Sequence, residues 1–503
     1  MAARELRVAI PPGATGFDAE ARGANGFLQR LCYARLLSYP PKPRSDGDPL
    51  GDVPNLEGVL AEGWEASEDG TVYTVRLRRG VRSAFGNEFT ADDVAWGWER
   101  AFGLRDVGKW VAIIGSVTDP ANVVVRDSHT VEFRLRAPNP TLLQQLTRMT
   151  PVIHDSVAAR EHATDADPWA TDWLTRTPAG FGGYHLESLT PWDEAVFAAN
   201  PGAPVAPAID RIRVRFVAGA RERRRLLEAG EVDILPDIGP GEVASLRSAE
   251  GVRVAHAPSG AHVLLAMNCR QEPFTSRAVR QAICYAVPYE RILSEVYLDT
   301  AEPWRSPLPM GTPMASDEGW PYHHDPERAR SLLREAGLPD GFETDLFVDV
   351  GAADHVASAH LIVAALAEVG IRVELELLDS TTHWAGARYF RPYPMLIYSD
   401  HHQVPDPYYG LVHDYSPSRL GLINVGNYAN DRVVELTAEV ERTPDPSERE
   451  RLVREAQRLI TEDAPNAYLS QPGFLAAMTE DLEGFYWPPD RGLVAERLSF
   501  RGP

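Results

Sequence analysis

Apolar and polar positions along the chain alternate between a period of two and a period near 3.6, the spacings that put side chains on one face of a strand or of a helix. Arg7-Val-Ala-Ile10 is a short apolar run stopped by Pro11-Pro12-Gly13 and predicts a buried strand entering a turn. Phe27, Leu28, Leu31, Ala34 and Leu37 recur at helical spacing, so a helix is expected over 27–37. The Pro-, Gly- and Asp-rich stretch 40–54 reads as a surface loop. Thr71-Val-Tyr-Thr-Val-Arg-Leu77 and Val131-Glu-Phe-Arg-Leu135 alternate as half-buried strands do. Between them Thr90 and Asp93 have capping-box spacing, in which a hydroxyl and a returning carboxylate satisfy N–H groups at a helix start. A helix through Trp96 and Trp98 is therefore expected.

The second half continues in the same mixture. Arg211–Val217 alternates, Glu222–Ala229 reads as a helix, and Glu231–Leu235 returns as a short strand. The apolar run His262–Asn268 precedes a helix at Ser276–Ala286. Pro326–Ala336 starts with proline at the first helical position and stops before Gly337. Asp345–Val350, a helix over 354–369 and Ile371–Leu378 predict a β-α-β unit with Gly370 as the helix stop. Ser447–Glu462 is the last long helix, closed by Ala464-Pro465. No internal repeat, low-complexity tract or coiled coil interrupts this pattern, so the expected class is α/β (mixed α+β). A length of 503 residues suggests two to four domains.

Charge and composition then exclude several functions. A net charge of −22 repels phosphate backbones and anionic bilayers, so nucleic acid is not an expected partner. No run approaches the roughly 20 apolar residues of a membrane span. The opening MAARELRVAI lacks the charged start, apolar core and cleavage site of a signal peptide. The expected location is the cell envelope if a leader has been removed, and the cytoplasm if the chain is complete. Cys32, Cys269 and Cys284 form no C-x-x-C pair, so unpaired thiols are expected in place of a zinc ribbon or redox motif.

Catalytic signatures are missing: there is no G-x-S-x-G elbow, no H-E-x-x-H and no G-x-x-x-x-G-K loop. Gly180-Phe-Gly182-Gly183 has the wrong spacing for a dinucleotide loop. His323-His324, His401-His402 and His413 carry imidazoles of the kind that bind nickel, zinc or copper. No acid or thiol spacing completes a set around them, so solvated or hydrogen-bonded histidines are expected, with no metal and no cofactor.

Many separate segments resemble one family. Pro54-Asn-Leu56, Ala61-Glu-Gly-Trp64-Glu-Ala-Ser67-Glu-Asp-Gly70 and Tyr73-Thr-Val-Arg-Leu-Arg-Arg-Gly-Val81 follow each other in its order. Phe89-Thr-Ala-Asp-Asp-Val94 is similar to its F-T-A-x-D-V motif. Pro273-Phe-Thr-Ser-Arg-Ala-Val-Arg-Gln-Ala-Ile283, His324-Asp-Pro-Glu-Arg-Ala through Gly337, Tyr428-Ala-Asn430 and Thr461-Glu-Asp-Ala-Pro465 continue the likeness. These motifs resemble the family 5 extracellular solute-binding proteins, which include dipeptide-, oligopeptide- and nickel-binding proteins of ABC importers. The resemblance implies a periplasmic-binding-protein-like two-lobed fold with an extra domain inserted in the first lobe. It places the first lobe at 1–39, 179–260 and 480–503, the inserted domain at 40–178 and the second lobe at 261–479.

The same resemblance assigns candidate ligand-binding residues. Peptide binders of the family pair the ligand α-amine with an aspartate in a W-x-x-D-x-x-D-P-like segment. Here the stretch is Ile397-Tyr-Ser-Asp400 through Asp406-Pro407-Tyr408-Tyr409, with Tyr398 near the usual tryptophan and a loop about two residues longer. Asp400 is the implied amine partner, and Asp406-Pro407 is expected to form a turn. Trp384, Tyr408 and Tyr409 are candidate apolar walls, and Arg388 and Arg391 are candidate partners of a ligand carboxylate. The expected protein is a monomeric capture component of an ABC importer, without catalytic residues, that hands a peptide or peptide-like small molecule to permease subunits. The alternative is a leaderless family member acting inside the cell as an enzyme or ligand sensor in specialised metabolism.

Overall fold

The computed structural model describes residues 4–18, 20, 25–45, 47–105, 107–388, 393–402, 404–419, 423–489 and 492–501. The Arg7–Ile10 run lies in strand Glu5–Ile10, which pairs in parallel with Arg211–Phe216 and with Ile234–Leu235. The sheet runs, from edge to edge, Tyr184–Thr190, Glu194–Ala199, Arg211–Phe216, Glu5–Ile10, Ile234–Leu235, Phe474–Thr479 and Val252–Ala257. Strand period sorts its side chains to two cores. Leu6, Val8 and Ile10 join Ile212, Val214 and Phe216 beneath helix Gly26–Cys32. Ala9, Leu235 and Leu475 pack on the other face against Leu226 and Leu227 of helix Ala220–Glu228 and against Val243 and Leu246 of helix Pro240–Arg247. A parallel centre covered on both faces accounts for the apolar character of these strands.

This sheet belongs to a discontinuous unit of residues 1–257 and 474–503. The unit also contains a four-stranded sheet in the order Ala61–Ala66, Val72–Leu77, Thr130–Arg134, Val123–Asp127. That sheet has its own core of Val75, Leu77, Val131 and Phe133 against Val94 and Trp98 of helix Ala91–Leu104. The capping box forms: the Asp93 carboxylate accepts from Thr90 N–H at 2.8 Å and from Ser156 N–H at 2.9 Å, tying the helix start to a second segment. Glycines 180 and 182 serve close approach. A Cβ on either would lie 2.4 Å from the backbone of Cys32, where Gly182 N–H donates to the Cys32 carbonyl at 2.8 Å.

Residues 258–473 form the other unit. Its sheet runs Ala301–Glu302, Asn466–Pro472, Ala261–Met267, Met395–His401, Glu343–Asp349, Arg372–Leu378. Ala261–Met267 is buried at all seven positions. The expected β-α-β unit is present as parallel Glu343–Asp349 and Arg372–Leu378 joined by helix Ala353–Glu368. One sheet face contributes Val263, Leu265, Met267, Leu346 and Val348 to a core with the Arg277–Ala286 and Ala353–Glu368 helices. The other face contributes Leu264, Ala266, Leu396 and Tyr398 to a core with Trp304 and Tyr468. The protein is thus a mixed α/β molecule of two compact units, each built around its own mixed sheet.

Several local expectations change. The helix expected over 27–37 stops at Cys32, where the backbone turns extended at Tyr33 and carries Leu37-Ser38 into a strand. The 40–54 stretch contains a two-stranded ribbon, Pro41–Lys42 with Leu50–Gly51. Strand Phe474–Thr479, within the expected 261–479 segment, pairs with Ile234–Leu235 and Val252–Ala257 in the sheet of the first unit. Cys32, Cys269 and Cys284 are unpaired thiols, as expected. No helix among the described residues is long and apolar enough to cross a membrane.

One buried charge cluster in the first unit has surplus negative charge. Arg100, fully buried on helix Ala91–Leu104, donates to Asp18 at 2.5 Å and 3.1 Å and to Glu20 at 2.9 Å, so one guanidinium faces two buried carboxylates. Burial pushes Glu20 up to about 8 against the pull of Arg100, and the adjacent Asp18 adds to the rise. The native state then holds a proton that the unfolded chain releases above about pH 4.5. This contribution is fully present below that pH and is lost as the pH rises through about 8, at no more than about 1.4 kcal/mol per pH unit. Glu20→Gln fixes the neutral form. Its melting temperature is expected to fall less than that of the parent between about pH 5 and pH 9; equal falls in calorimetry would count against this assignment.

Candidate functional site

The apolar face formed by Leu264, Ala266, Leu396 and Tyr398 does not end in apolar residues. The next positions on that face are His262 and Asp400, directly opposite each other in the antiparallel register of Ala261–Met267 and Met395–His401. His262 is buried against the Trp304 ring at 4.7 Å, and Asp400 keeps 23% of its side chain exposed. The Asp400 carboxylate accepts from His401 N–H at 2.6 Å and from Tyr398 Oη at 3.5 Å.

The chain then turns into helix Pro407–Tyr415. Asp406-Pro407 is not a free turn: Asp406 is the N-cap, accepting from Tyr408 N–H at 2.9 Å, and Pro407 takes the first helical position, where its missing N–H costs nothing. The same carboxylate receives both terminal nitrogens of Arg449, at 2.9 and 3.1 Å, and the pair is almost wholly buried. At the other end the Tyr415 hydroxyl donates to Pro307 O and meets Tyr468 Oη, both at 2.7 Å. The helix is therefore pinned at both ends, which fixes His413 and Asp414 beneath Asp400.

These residues form a cluster of alternating acids and imidazoles. His402 Nε2 lies 3.0 Å from Asp414 Oδ2, His413 Nδ1 lies 2.7 Å from Asp414 Oδ1, and His413 Nε2 stands 3.7 Å from Asp400 Oδ2. Tyr409 stacks on His413 with ring centroids 5.1 Å apart and meets His402 edge-on at 5.5 Å. Burial opposes the Asp414 anion, but His402 and then His413 overcome it and hold the carboxyl well below the usual carboxylate range. Burial likewise opposes the His402 cation, yet Asp414 and more distant Asp400 raise it above its ordinary value. Burial, reinforced by His402, pushes His262 down to about 4, so it is neutral near pH 7. A half-open carboxylate backed by this cluster is suited to receive a cation such as an ammonium group.

Of the candidate residues, Asp400 and Tyr409 are brought together here, with Tyr408 buried at the helix start. Trp384 and Arg388 fall on helix Ser380–Arg388, which His383 Nε2 ties to Ile397 O at 3.0 Å; Arg391 lies outside the described residues. His323 and His324 stand apart and are engaged by the carbonyls of Pro321 and Ala286, both at 3.0 Å, as expected for hydrogen-bonded histidines. His262 and Asp414 were not legible as site residues, because only strand register and helix docking bring them to His402. Cys269 offers no ready thiolate, since burial pushes its thiol up to about 11.

Known proteins with the same overall pattern give this geometry a context. The model of the bacterial extracellular solute-binding proteins, family 5 middle, matches residues 55–421. The glutathione-binding protein GsiB of Escherichia coli O157:H7 is 27% identical over 457 residues, covering 88% of this chain and 85% of its own. Among solved structures, the dipeptide-binding protein of Pseudoalteromonas sp. SM9913 in complex with Met-Leu superposes with a TM-score of 0.86 at 19% identity, covering 99% of this chain and 100% of its own. The periplasmic binding protein DppA of Helicobacter pylori in complex with the peptide STSA gives 0.84 at 22% identity, covering 99% and 98%.

The Asp406–Arg449 pair supports the site without facing a solute, and its removal separates the two roles. Arg449→Met leaves a buried carboxylate without its counter-charge and is expected to cost about 3–5 kcal/mol in denaturant melts. Adding Asp406→Asn to that variant should recover part of the loss, because the unpaired charge is gone. A cost below about 1 kcal/mol would show that the pair does not anchor the helix.

Proposed function

The chain belongs to the bacterial extracellular solute-binding proteins of family 5, and from that premise we propose that it captures a peptide or peptide-like small solute for an ABC importer. The observation that carries this reading is Asp400: a partly exposed carboxylate on a fixed strand end, opposite His262 and above the His413–Asp414 pair. A ligand α-amine placed there makes a charge-assisted hydrogen bond, worth roughly 1.5–3 kcal/mol net. The ligands of the related proteins (glutathione, Met-Leu and the peptide STSA) support a solute of this kind.

In the same reading Trp384, Tyr408 and Tyr409 wall the solute, and Arg388 or Arg391 pairs with its carboxylate. Residues 40–178 act as a domain inserted in the first lobe, for which the separate four-stranded sheet and its own core are the support. The protein works as a monomer outside the cytoplasmic membrane, binds without turning its ligand over, and passes it to ABC permease subunits.

Isothermal titration of a panel of short peptides tests this. At least one free-amine peptide or glutathione-like thiol peptide is expected to bind with 1:1 stoichiometry. Asp400→Asn should weaken it by roughly 10- to 150-fold, the equivalent of 1.5–3 kcal/mol, while leaving an N-acetylated analogue little changed. Failure of every peptide and peptide-like solute to bind or to stabilise the folded protein would sink the reading.

A further inference from the structure

We infer that His262, His402 and Asp414 form a binding site for a divalent first-row transition metal of the zinc class, built within the second unit. Three elements each supply one ligand: strand Ala261–Met267, the residue following strand Met395–His401, and helix Pro407–Tyr415. One donor atom from each lies within 4.8 Å of the other two, and all three side chains are buried. The His402–Asp414 separation of 3.0 Å is within about half an ångström of the roughly 3.4 Å between neighbouring ligands on a tetrahedral ion with bonds near 2.1 Å. The third ligand has at most about an ångström and a half to close.

The hydrogen bonding prepares the His262 imidazole for this role. His262 Nδ1 faces Gly260 O at 3.2 Å, which assigns the ring proton to Nδ1 and leaves the lone pair on Nε2. His262 Nε2 is buried and has no hydrogen-bond partner among the described residues, while His402 turns its Nε2 to Asp414. A ring whose N–H is held by a backbone carbonyl while the other nitrogen points into a buried polar cluster is the arrangement metal-ligating histidines adopt. Asp414 is oriented in turn by His413 at 2.7 Å, and His413 by Asp400 at 3.7 Å, giving the ligand carboxylate an outer partner. Two nitrogens and one oxygen suit zinc, nickel or copper better than calcium or magnesium, and three protein ligands leave a coordination position open.

A second buried grouping shows what a filled place looks like. Asp18, Glu20 and His154 also lie within reach of one another, but the Arg100 guanidinium stands between the two carboxylates where a cation would sit. Nothing comparable occupies the His262–His402–Asp414 cluster among the described residues.

The inference is independent of the peptide reading, and the test separates them. Untagged full-length protein is stripped with a chelator, dialysed, and titrated with ZnCl₂ and with NiCl₂, with bound metal counted by mass spectrometry. One ion per chain is expected. His262→Ala and His402→Ala should each weaken binding at least 100-fold, and His323→Ala, an exposed histidine outside the cluster, should leave it unchanged. Because ligand variants can lose structure, the parent protein is also loaded with Co²⁺, whose intense visible bands report a four-coordinate nitrogen–oxygen site. No bound metal in the parent, six-coordinate Co²⁺ bands, or undiminished binding in a folded His262→Ala variant overturns the inference. Peptide binding by the stripped protein in that case leaves the solute reading standing.

Discussion

Strand Phe474–Thr479 lies between Ile234–Leu235 and Val252–Ala257, and its first five residues are buried. The sheet of the first unit is therefore incomplete until the chain has passed through all of residues 258–473 and returned. For a flexible segment of that length, closing the ends costs about 5 kcal/mol in chain entropy. Phe474, Leu475 and Met478 each offset roughly 1.5–3 kcal/mol of it by leaving water. The preceding strand, Asn466–Pro472, sits beside the wholly buried Ala261–Met267 in the second unit. Two successive strands separated by Gly473 thus fix the two sheets, and the covalent path passes from one unit to the other only at 257–258 and at 473–474. Binding proteins that move two bodies about a hinge need connections of this economy.

The candidate site follows from the second of those sheets. Its upper face is apolar through Leu264, Leu396 and Tyr398, and one register step further it presents His262 and Asp400. The helix that carries His413 and Asp414 is held by a buried bidentate ion pair, Asp406 with Arg449, and by the Tyr415 hydroxyl. Such a pair contributes little to stability relative to well-packed apolar residues, and its value here is positional. It keeps a second carboxylate close behind Asp400, with His413 between the two. The proposed solute site at Asp400 and the proposed metal site at His262, His402 and Asp414 therefore share one polar cluster.

Much of the architecture was legible in the sequence because it is written locally. The 3.6-residue period of Ala353–Glu368, its Gly370 stop and the flanking strands have no other reading. Thr90 and Asp93 announce a helix start on their own. The misses share one cause, dependence on partners far away in sequence. Asn466–Pro472 and Phe474–Thr479 are buried on both faces and show no alternation. Asp406-Pro407 fits a turn and a helix N-cap equally well, and Arg449 decides between them from another helix. His262 has no sequence neighbour that marks it; only the register opposite Asp400 does. Asp400 itself came from a family motif, and its surroundings came from the fold.

The most direct test of Asp400 as the site's recognition centre is a crystal structure of the full chain with the solute it retains from its own host. The expected density places an ammonium or other cationic group within about 2.7–3.2 Å of the Asp400 carboxylate. A solute seated elsewhere, with Asp400 facing only water and its present neighbours, would contradict the account.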